Sequence, residues 1–363
     1  MKNSIAHTKI LIAPLDWGLG HVTRCIPLIH FLMQLECEVF IASSGAQKKL
    51  MQAEFPALSF LDLDGYNITY SKHKRIMPLK ILWQTPKILS AIKKENKWLS
   101  NTIEQYKIDV VISDNRYGLY SSKVPCIFIT HQLQIQAASN WLEKCIQKIN
   151  YQYINRFSEC WVPDMEGVLN IAGSLSHPKK FPAIPAKYIG TLSRFEIKKT
   201  EEKKYDWMII LSGPEPQRTV LENKLLSWLS GLHDKILIVR GKPGDTVNLN
   251  APENFTIFNH AATAEMQQLI NESEFIISRC GYTTVMEMLS LQKKCVLIPT
   301  PGQTEQEYLA AHLKKQAWCY SFQQDDDFLL HLNNAKEFTY NLPAIDTSAF
   351  KKILADFVNQ ITT

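Results

Sequence analysis

Short apolar runs alternating with longer helical patterns set the rhythm of the first half of this chain. Ile10 to Ala13, Glu38 to Ala42, Leu58 to Leu61, Asp109 to Ser113 and Cys126 to Thr130 read as strands. Cys25 to Leu35 carries a helical apolar face. Ile88, Leu89, Ile92, Leu99 and Ile103 recur at helical spacing after Pro86, which is placed as a helix start. Short strands joined by helices predict a parallel sheet covered on both faces. Pro178 to Pro185 breaks the periodicity and Phe195 to Lys204 is polar and charge-rich, so a boundary falls near 192 to 204. The rhythm then restarts. Trp207 to Leu211, Ile236 to Val239, Phe255 to Phe258, Phe275 to Ser278 and Cys295 to Ile298 read as strands, with helices near 218–230, 263–271, 283–290 and 304–315. The expected organisation is two α/β domains, 1–195 and 196–345, facing each other across a cleft. A last helix in 346–363 caps one of them, the first domain being the expected partner.

At 363 residues and 45% apolar, the chain has material for two cores. Its formal charge of +5 is local: Lys72 to Lys97 holds eight Lys or Arg against Glu95, +7, which leaves −2 for the rest. The eight cysteines form no CxxC pair, which suits reduced thiols in a cytoplasmic protein. No run of eighteen apolar residues occurs, and the N-terminus enters a strand pattern directly, so neither a signal peptide nor a spanning helix is expected.

Chemistry-bearing residues collect just after the strands. Asp16-Trp-Gly-Leu-Gly-His21 puts glycines where a backbone can approach a ligand, ahead of a helix N-terminus with unpaired N–H groups. The spacing is GxGH, and Ala42-Ser43-Ser44 supplies no acid after the second strand, which weakens a dinucleotide site. His21 is a candidate general base, or a histidine satisfying local backbone groups. Asp114, at the carboxyl end of its strand, is placed to orient His21 or else to cap a turn. Arg116 is a candidate for an anionic acceptor or phosphate, and Asp16 for the acceptor side. In the second half, Ser212, Gly213 and Arg218 can present a hydroxyl, N–H groups and a planar donor fork to phosphate. Ser278-Arg-Cys-Gly-Tyr-Thr-Thr-Val-Met-Glu287 places Gly281 after a strand, Thr283 or Thr284 where either can cap or open the next helix, and Glu287 one turn in, where a carboxylate can accept from a ribose diol. Ile298-Pro-Thr-Pro-Gly-Gln-Thr-Glu-Gln306-Glu307 offers polar groups for sugar hydroxyls, and solvated helix-start polarity explains it nearly as well.

RCGYTTVME at 279–287, PTPGQTEQE at 299–307 and the earlier GLGH resemble the nucleotide-sugar-dependent glycosyltransferases related to the bacterial peptidoglycan N-acetylglucosaminyltransferase. The resemblance covers roughly 8 to 320 and is nearer to uncharacterised members with a DxGxGH opening, since DWGLGHVTR departs from the fuller GGTGGH pattern. It implies the GT-B fold, two facing Rossmann-like domains with parallel sheets, the first binding acceptor and the second nucleotide sugar. Carried over, Gly18 and Gly20 form a turn near donor phosphates or acceptor, and His21 lies near the transfer centre. Ser212, Gly213 and Arg218 match the phosphate-side loop, and Arg279 belongs with the donor-phosphate group. Phe258 and Asn259 fall at the nucleobase, Gly281 and Thr284 at the diphosphate, Glu287 at the ribose and Gln306 at the donor sugar. Glu307 stands in place of a second glutamine. The His21 and Asp114 pair resembles the dyad of the broader inverting superfamily.

The implied activity is metal-independent inverting transfer from a nucleoside-diphosphate sugar, UDP-linked by expectation, to a hydroxyl acceptor, with a lipid-linked acceptor among the candidates. No tightly bound cofactor, metal or nucleic acid is expected. Asp325-Asp-Asp327 reads as a cap for the helix after it. A sugar-nucleotide epimerase, a nucleotide-sugar-binding protein without turnover and a nicotinamide-dependent oxidoreductase are the rivals, the last disfavoured by the GxGH spacing. The basic stretch 72–98, interleaved with Leu79, Trp83, Ile88 and Leu89, reads either as a peripheral contact with the inner membrane face or as an ordinary helix burying one side.

Overall fold

The computed structural model describes residues 8–66, 77–136, 140–198, 202–213, 215–246, 249 and 251–362, without the side chains of 77–83, 140 and 362. The first half runs β1 (Lys9–Pro14), α1 (Leu19–Gln34), β2 (Glu38–Ser43), α2 (Gly45–Glu54), β3 (Ser59–Asp62), α3 (Met77–Tyr106), β4 (Val110–Asp114), β5 (Cys126–Ile129), α4 (Asn140–Ile154), β6 (Glu159–Val162) and β7 (Ala186–Tyr188). The second runs β8 (Tyr205–Ile210), α5 (Gln217–Leu229), β9 (Ile236–Val239), β10 (Phe255–Phe258), α6 (Thr263–Asn271), β11 (Ser273–Ser278), α7 (Tyr282–Ser290), β12 (Lys294–Leu297), α8 (Thr304–Lys315), β13 (Tyr320–Ser321) and α9 (Phe328–Glu337). Helix α10 (Ala349–Thr362) closes the chain.

The sheets have orders β3-β2-β1-β4-β5-β6-β7 and β10-β9-β8-β11-β12-β13, with parallel pairing throughout. Central strands such as β4 and β9 are buried along their whole length, which is why they read as unbroken apolar runs. In each sheet the order reverses between two central strands, β1 with β4 and β8 with β11, and loops leaving such a switch point diverge to open a crevice at the strands' carboxyl ends. The motifs around His21, Asp114, Ser212 and Gly281 all leave these four strands.

An apolar cluster crosses from one half to the other, joining Ile12 and Ile29 to Val285 and Met286 of α7. Helix α10 sits on the first half, with Phe350 edge-on to Phe31 of α1 and Phe357 edge-on to Trp161 of β6. Asp327 caps α9, its carboxylate accepting from the Leu330 N–H at 3.1 Å. All eight cysteines are free.

Pro86 differs from expectation: it lies inside α3, on an exposed face where water can satisfy the carbonyl that loses its donor. Residues 72–76 of the basic stretch fall outside the described residues. Further along α3, Lys87, Lys93, Lys94 and Lys97 are exposed, while Ile88 and Ile92 pack against Leu15 and Tyr66. Among the described residues no helix is long and apolar enough to cross a membrane.

Candidate active site

The two crevices meet in one cleft offering about 260 Å³ of space. Its first wall begins at the loop after β1. Gly18 precedes α1 with φ 87°, a left-handed conformation that suits glycine, and its carbonyl accepts from the buried Gln47 amide at 2.9 Å. A side chain at Gly20 would press on Thr283 Oγ1 of α7, which donates to the Gly20 carbonyl at 3.1 Å. The glycine therefore permits the two walls to touch.

His21 follows in the first turn of α1. Its Nδ1 lies 3.0 Å from Oδ2 of Asp114, which is fully buried at the end of β4. Arg24, one turn on and buried, donates Nε–H to both Asp114 oxygens at 3.0 Å and Nη2–H to Oδ1. Burial alone would raise the Asp114 carboxyl, but Arg24 and His21 outweigh it and hold it below the ordinary value. His21 is depressed below 6.5, first by burial and then by Arg24, against the opposing pull of Asp114. A neutral imidazole beside a carboxylate can take a proton from a hydroxyl in the cleft.

The second wall carries Ser212 and Gly213 after β8 and the segment from Arg279 to Glu287 after β11. Gly281 caps α7, whose first turn turns unpaired N–H groups toward the cleft beside Thr284. Arg279 is buried and donates to neutral acceptors: the Ile298, Pro299 and Gln217 carbonyls and Gln324 Oε1. Burial lowers it to about 10, so it remains a cation at neutral pH. Glu287 is buried, and its carboxyl is raised by that burial despite the opposing effect of Arg194. Arg194 Nε stands 3.0 Å from Glu287 Oε1, but the alignment makes no hydrogen bond and both atoms are buried without one.

Several expected residues turn elsewhere. Arg116 is buried and donates to Glu95 Oε1 at 2.7 Å, to the Pro14 carbonyl at 3.2 Å and to the Asp64 carbonyl. Its positive charge is spent inside the first half. Arg218 is likewise buried between Glu215 and Glu222, at 2.8 and 3.1 Å. Asp16 accepts from the Tyr66 N–H at 3.1 Å, and Glu307 accepts from the Gly302 N–H at 3.1 Å. Asn259 is bound to Arg240 and to the Asp245 carbonyl, and neither it nor Phe258 borders the cleft, whereas His260 and Ala261 do. Gln306 borders the cleft, its Oε1 accepting from the Thr300 N–H at 2.8 Å.

Sequence reasoning missed Arg24, His131, Arg194, His260 and Glu305, all of which line the cleft. His131 stacks flat on Tyr282 with 4.0 Å between ring centres and lies 2.7 Å from Glu305 through Nε2, a bridge between the halves. Tyr282 adds another by donating to the Pro163 carbonyl at 2.6 Å.

Two parallel sheets with ligand-facing switch points across a cleft define the GT-B class of glycosyltransferase. The chain belongs to glycosyl transferase family 1, whose pattern matches residues 8–343. It is 24% identical to the UDP-N-acetylglucosamine--N-acetylmuramyl-(pentapeptide) pyrophosphoryl-undecaprenol N-acetylglucosamine transferase of Clostridium tetani, over 94% of this chain and 87% of that one. It is 22% identical to an uncharacterized glycosyltransferase of Methanosarcina acetivorans, over 85% and 84%. Acinetobacter baumannii MurG shares the fold at TM-score 0.56 and 17% identity, covering 98% of this chain and 99% of that one. The Streptomyces sp. SF2575 glycosyltransferase SsfS6, complexed with thymidine diphosphate, does so at TM-score 0.58 and 15% identity, covering 98% and 100%. The protein is a nucleotide-sugar glycosyltransferase.

Proposed function

We propose that the chain transfers a sugar from a UDP-sugar to a hydroxyl acceptor with inversion, His21 being the base. The observation that carries this reading is the His21–Asp114 pair at 3.0 Å on one wall, opposite the α7 N-terminus and buried Glu287 on the other. In the step, His21 Nε2 takes the acceptor proton while the acceptor oxygen forms its bond to the anomeric carbon. The bond from that carbon to the diphosphate oxygen breaks, and its electron pair leaves with the nucleoside diphosphate. Charge then develops beside Gly213, Gly281 and Thr284, where helix N–H groups and the Arg279 cation favour it. Those groups support transfer without a metal, and EDTA is expected to leave the rate unchanged. Glu287 would accept from the ribose hydroxyls, Ser212 would meet phosphate, and Gln306 would meet the donor sugar.

The uridine nucleotide is proposed because the C. tetani relative is named for a UDP-linked donor. That name also carries a pyrophosphoryl-undecaprenol acceptor, and the exposed lysines of α3 suit a lipid-linked acceptor reached from the inner membrane face. His260, depressed by burial and then by Arg194, borders the cleft directly after Phe258 and Asn259, the pair expected at the nucleobase. The test is a screen of nucleotide sugars with and without acceptors, lipid-linked ones included. Nucleoside diphosphate released only with acceptor supports transfer; a product that retains the nucleotide sinks it in favour of epimerisation.

A further inference from the structure

We propose that Arg24 is a positioning residue for the transfer step: by sharing the Asp114 carboxylate with His21, it limits how far that carboxylate can support a protonated His21 ring. The proposal rests on the reading of His21 as base and adds a second control over it.

The geometry is that of one guanidinium placed among three titratable partners. Arg24 Nε and Nη2 both bind Asp114, Nη2 lies 2.8 Å from His21 Nδ1, and Nη1 lies 3.3 Å from His131 Nδ1. A guanidinium has five donors and no acceptor. His131 Nδ1 must therefore accept, which leaves its proton on Nε2, donated to Glu305 at 2.7 Å. His21 Nδ1 is in a different position, facing the Asp114 acceptor on one side and the Arg24 donor on the other. A dyad with an unshared carboxylate would stabilise the imidazolium fully. Here the carboxylate is already neutralised by a buried cation, so a proton taken up by His21 is held more weakly and is returned to solvent more readily before the next turnover.

Every charged or titratable group around the ring enters this balance. Helix α1 supplies Arg24 and Cys25, whose thiol is 4.0 Å from Asp114; β4 supplies Asp114. The loop after β5 supplies His131, α7 supplies Tyr282, and α8 supplies Glu305. The Cys25 thiol and the Tyr282 hydroxyl are both pushed well up by burial and stay neutral. Glu305 acts on His21 in the same sense as Asp114 but is engaged by His131. Arg24 is thus the cation in direct contact with both members of the dyad. Its place on the helix is set by spacing: three residues after His21, it falls on the same face, and its burial among Val22, Cys25 and Leu28 obliges it to find a carboxylate.

The test uses the full chain in two arms. In the first, the imidazole nitrogens of 15N-labelled protein without substrate are followed from about pH 5 to about pH 8, bracketing the ordinary histidine range. His21→Ala and His131→Ala assign the two signals. His21 is expected to titrate below its ordinary 6.5. A His21 midpoint at or above 6.5 overturns the proposal. In the second arm, the pH profile of kcat/KM is measured for Arg24→Gln and Arg24→Lys. Removal of the charge should move the acidic limb up by about one unit or more, while lysine should hold it within about half a unit. An equal loss of rate in both variants with the limb unmoved indicates a merely structural arginine and overturns the proposal. If Arg24→Gln does not fold, Arg24→Ala is assayed with and without added guanidinium: a limb raised without it and restored by it supports the proposal, and a limb unmoved by either overturns it. Failure of the base reading shows separately, as normal turnover in His21→Ala.

Discussion

Arg116 offers the sharpest division between a residue that meets substrate and one that builds the scaffold. It is 1% exposed and paired at 2.7 Å with Glu95, itself 3% exposed. Glu95 also accepts from Tyr66 Oη at 2.7 Å and from the Gly118 N–H at 3.1 Å, so the carboxylate pins α3 to the loops after β3 and β4. Replacement of Arg116 by methionine keeps the stem's volume and leaves the carboxylate buried without its cation. Breaking a buried pair of this kind costs about 3–5 kcal/mol. An independent route gives a similar figure. The variant can escape by protonating Glu95, whose ordinary value is 4.5, and at a pH three units higher this costs about 4 kcal/mol. The second estimate carries a signature. Folded Glu95 would then hold a proton that the unfolded chain has lost, so the variant's stability should fall with rising pH. Above the pH at which Glu95 ionises in the parent chain, the gap between the two should widen by about 1.4 kcal/mol per unit. Urea unfolding at several pH values measures it. Adding Glu95→Gln should remove the slope and recover part of the loss. A stable Arg116→Met protein with a raised KM for acceptor would refute the scaffold assignment and restore the arginine to the acceptor site.

Other outcomes follow from the cleft. His21→Ala should lower turnover by about 10²- to 10⁴-fold with donor affinity by calorimetry nearly unchanged, and normal turnover rejects the base. Glu287→Ala should weaken donor binding by about 10- to 100-fold through loss of hydrogen bonds to a charged acceptor, and unchanged affinity removes it from the ribose site. His21, His260 and His312 are all depressed below 6.5, in each case first by burial. As pH falls through 6.5 toward their folded values, the unfolded chain takes up protons that the folded chain does not, so stability should decline across that window. A melting temperature that stays flat or rises on acidification from neutrality would contradict this.

What could be read along the chain was whatever depends on position within one strand–helix unit. His21, Asp114, Gly281 and Glu287 are legible because a parallel sheet sends every loop after a strand's carboxyl end to the same edge. Direction within those loops is less local. Asn115 has φ 61°, a left-handed step directly before Arg116, whose guanidinium meets a carboxylate 21 positions earlier, which no local pattern reveals. Along α8 each residue advances about 100° around the axis, so Glu305 and Gln306 border the cleft, the former on His131, while Glu307 folds back on Gly302. The turn after β10 moves the cleft residue from Asn259 to His260 by the same kind of one-position difference.

Two residues whose place in the site was misjudged, one expected there and one overlooked, did leave a trace. Arg218 has acids at three residues before and four after, Glu215 and Glu222, a spacing that neutralises a helical arginine before any ligand arrives. Arg24 is the opposite case: no acid stands at i±3 or i±4 from it, and apolar Val22, Cys25, Ile26 and Leu28 surround it. A buried cation without a local partner must take one from elsewhere in the fold. Its position one turn after His21, on the same face, directs it to the carboxylate that His21 uses. The pattern that hides a cation inside an apolar helix face therefore also selects which acid it must share, and this ties the electrostatics of the cleft to the packing of α1.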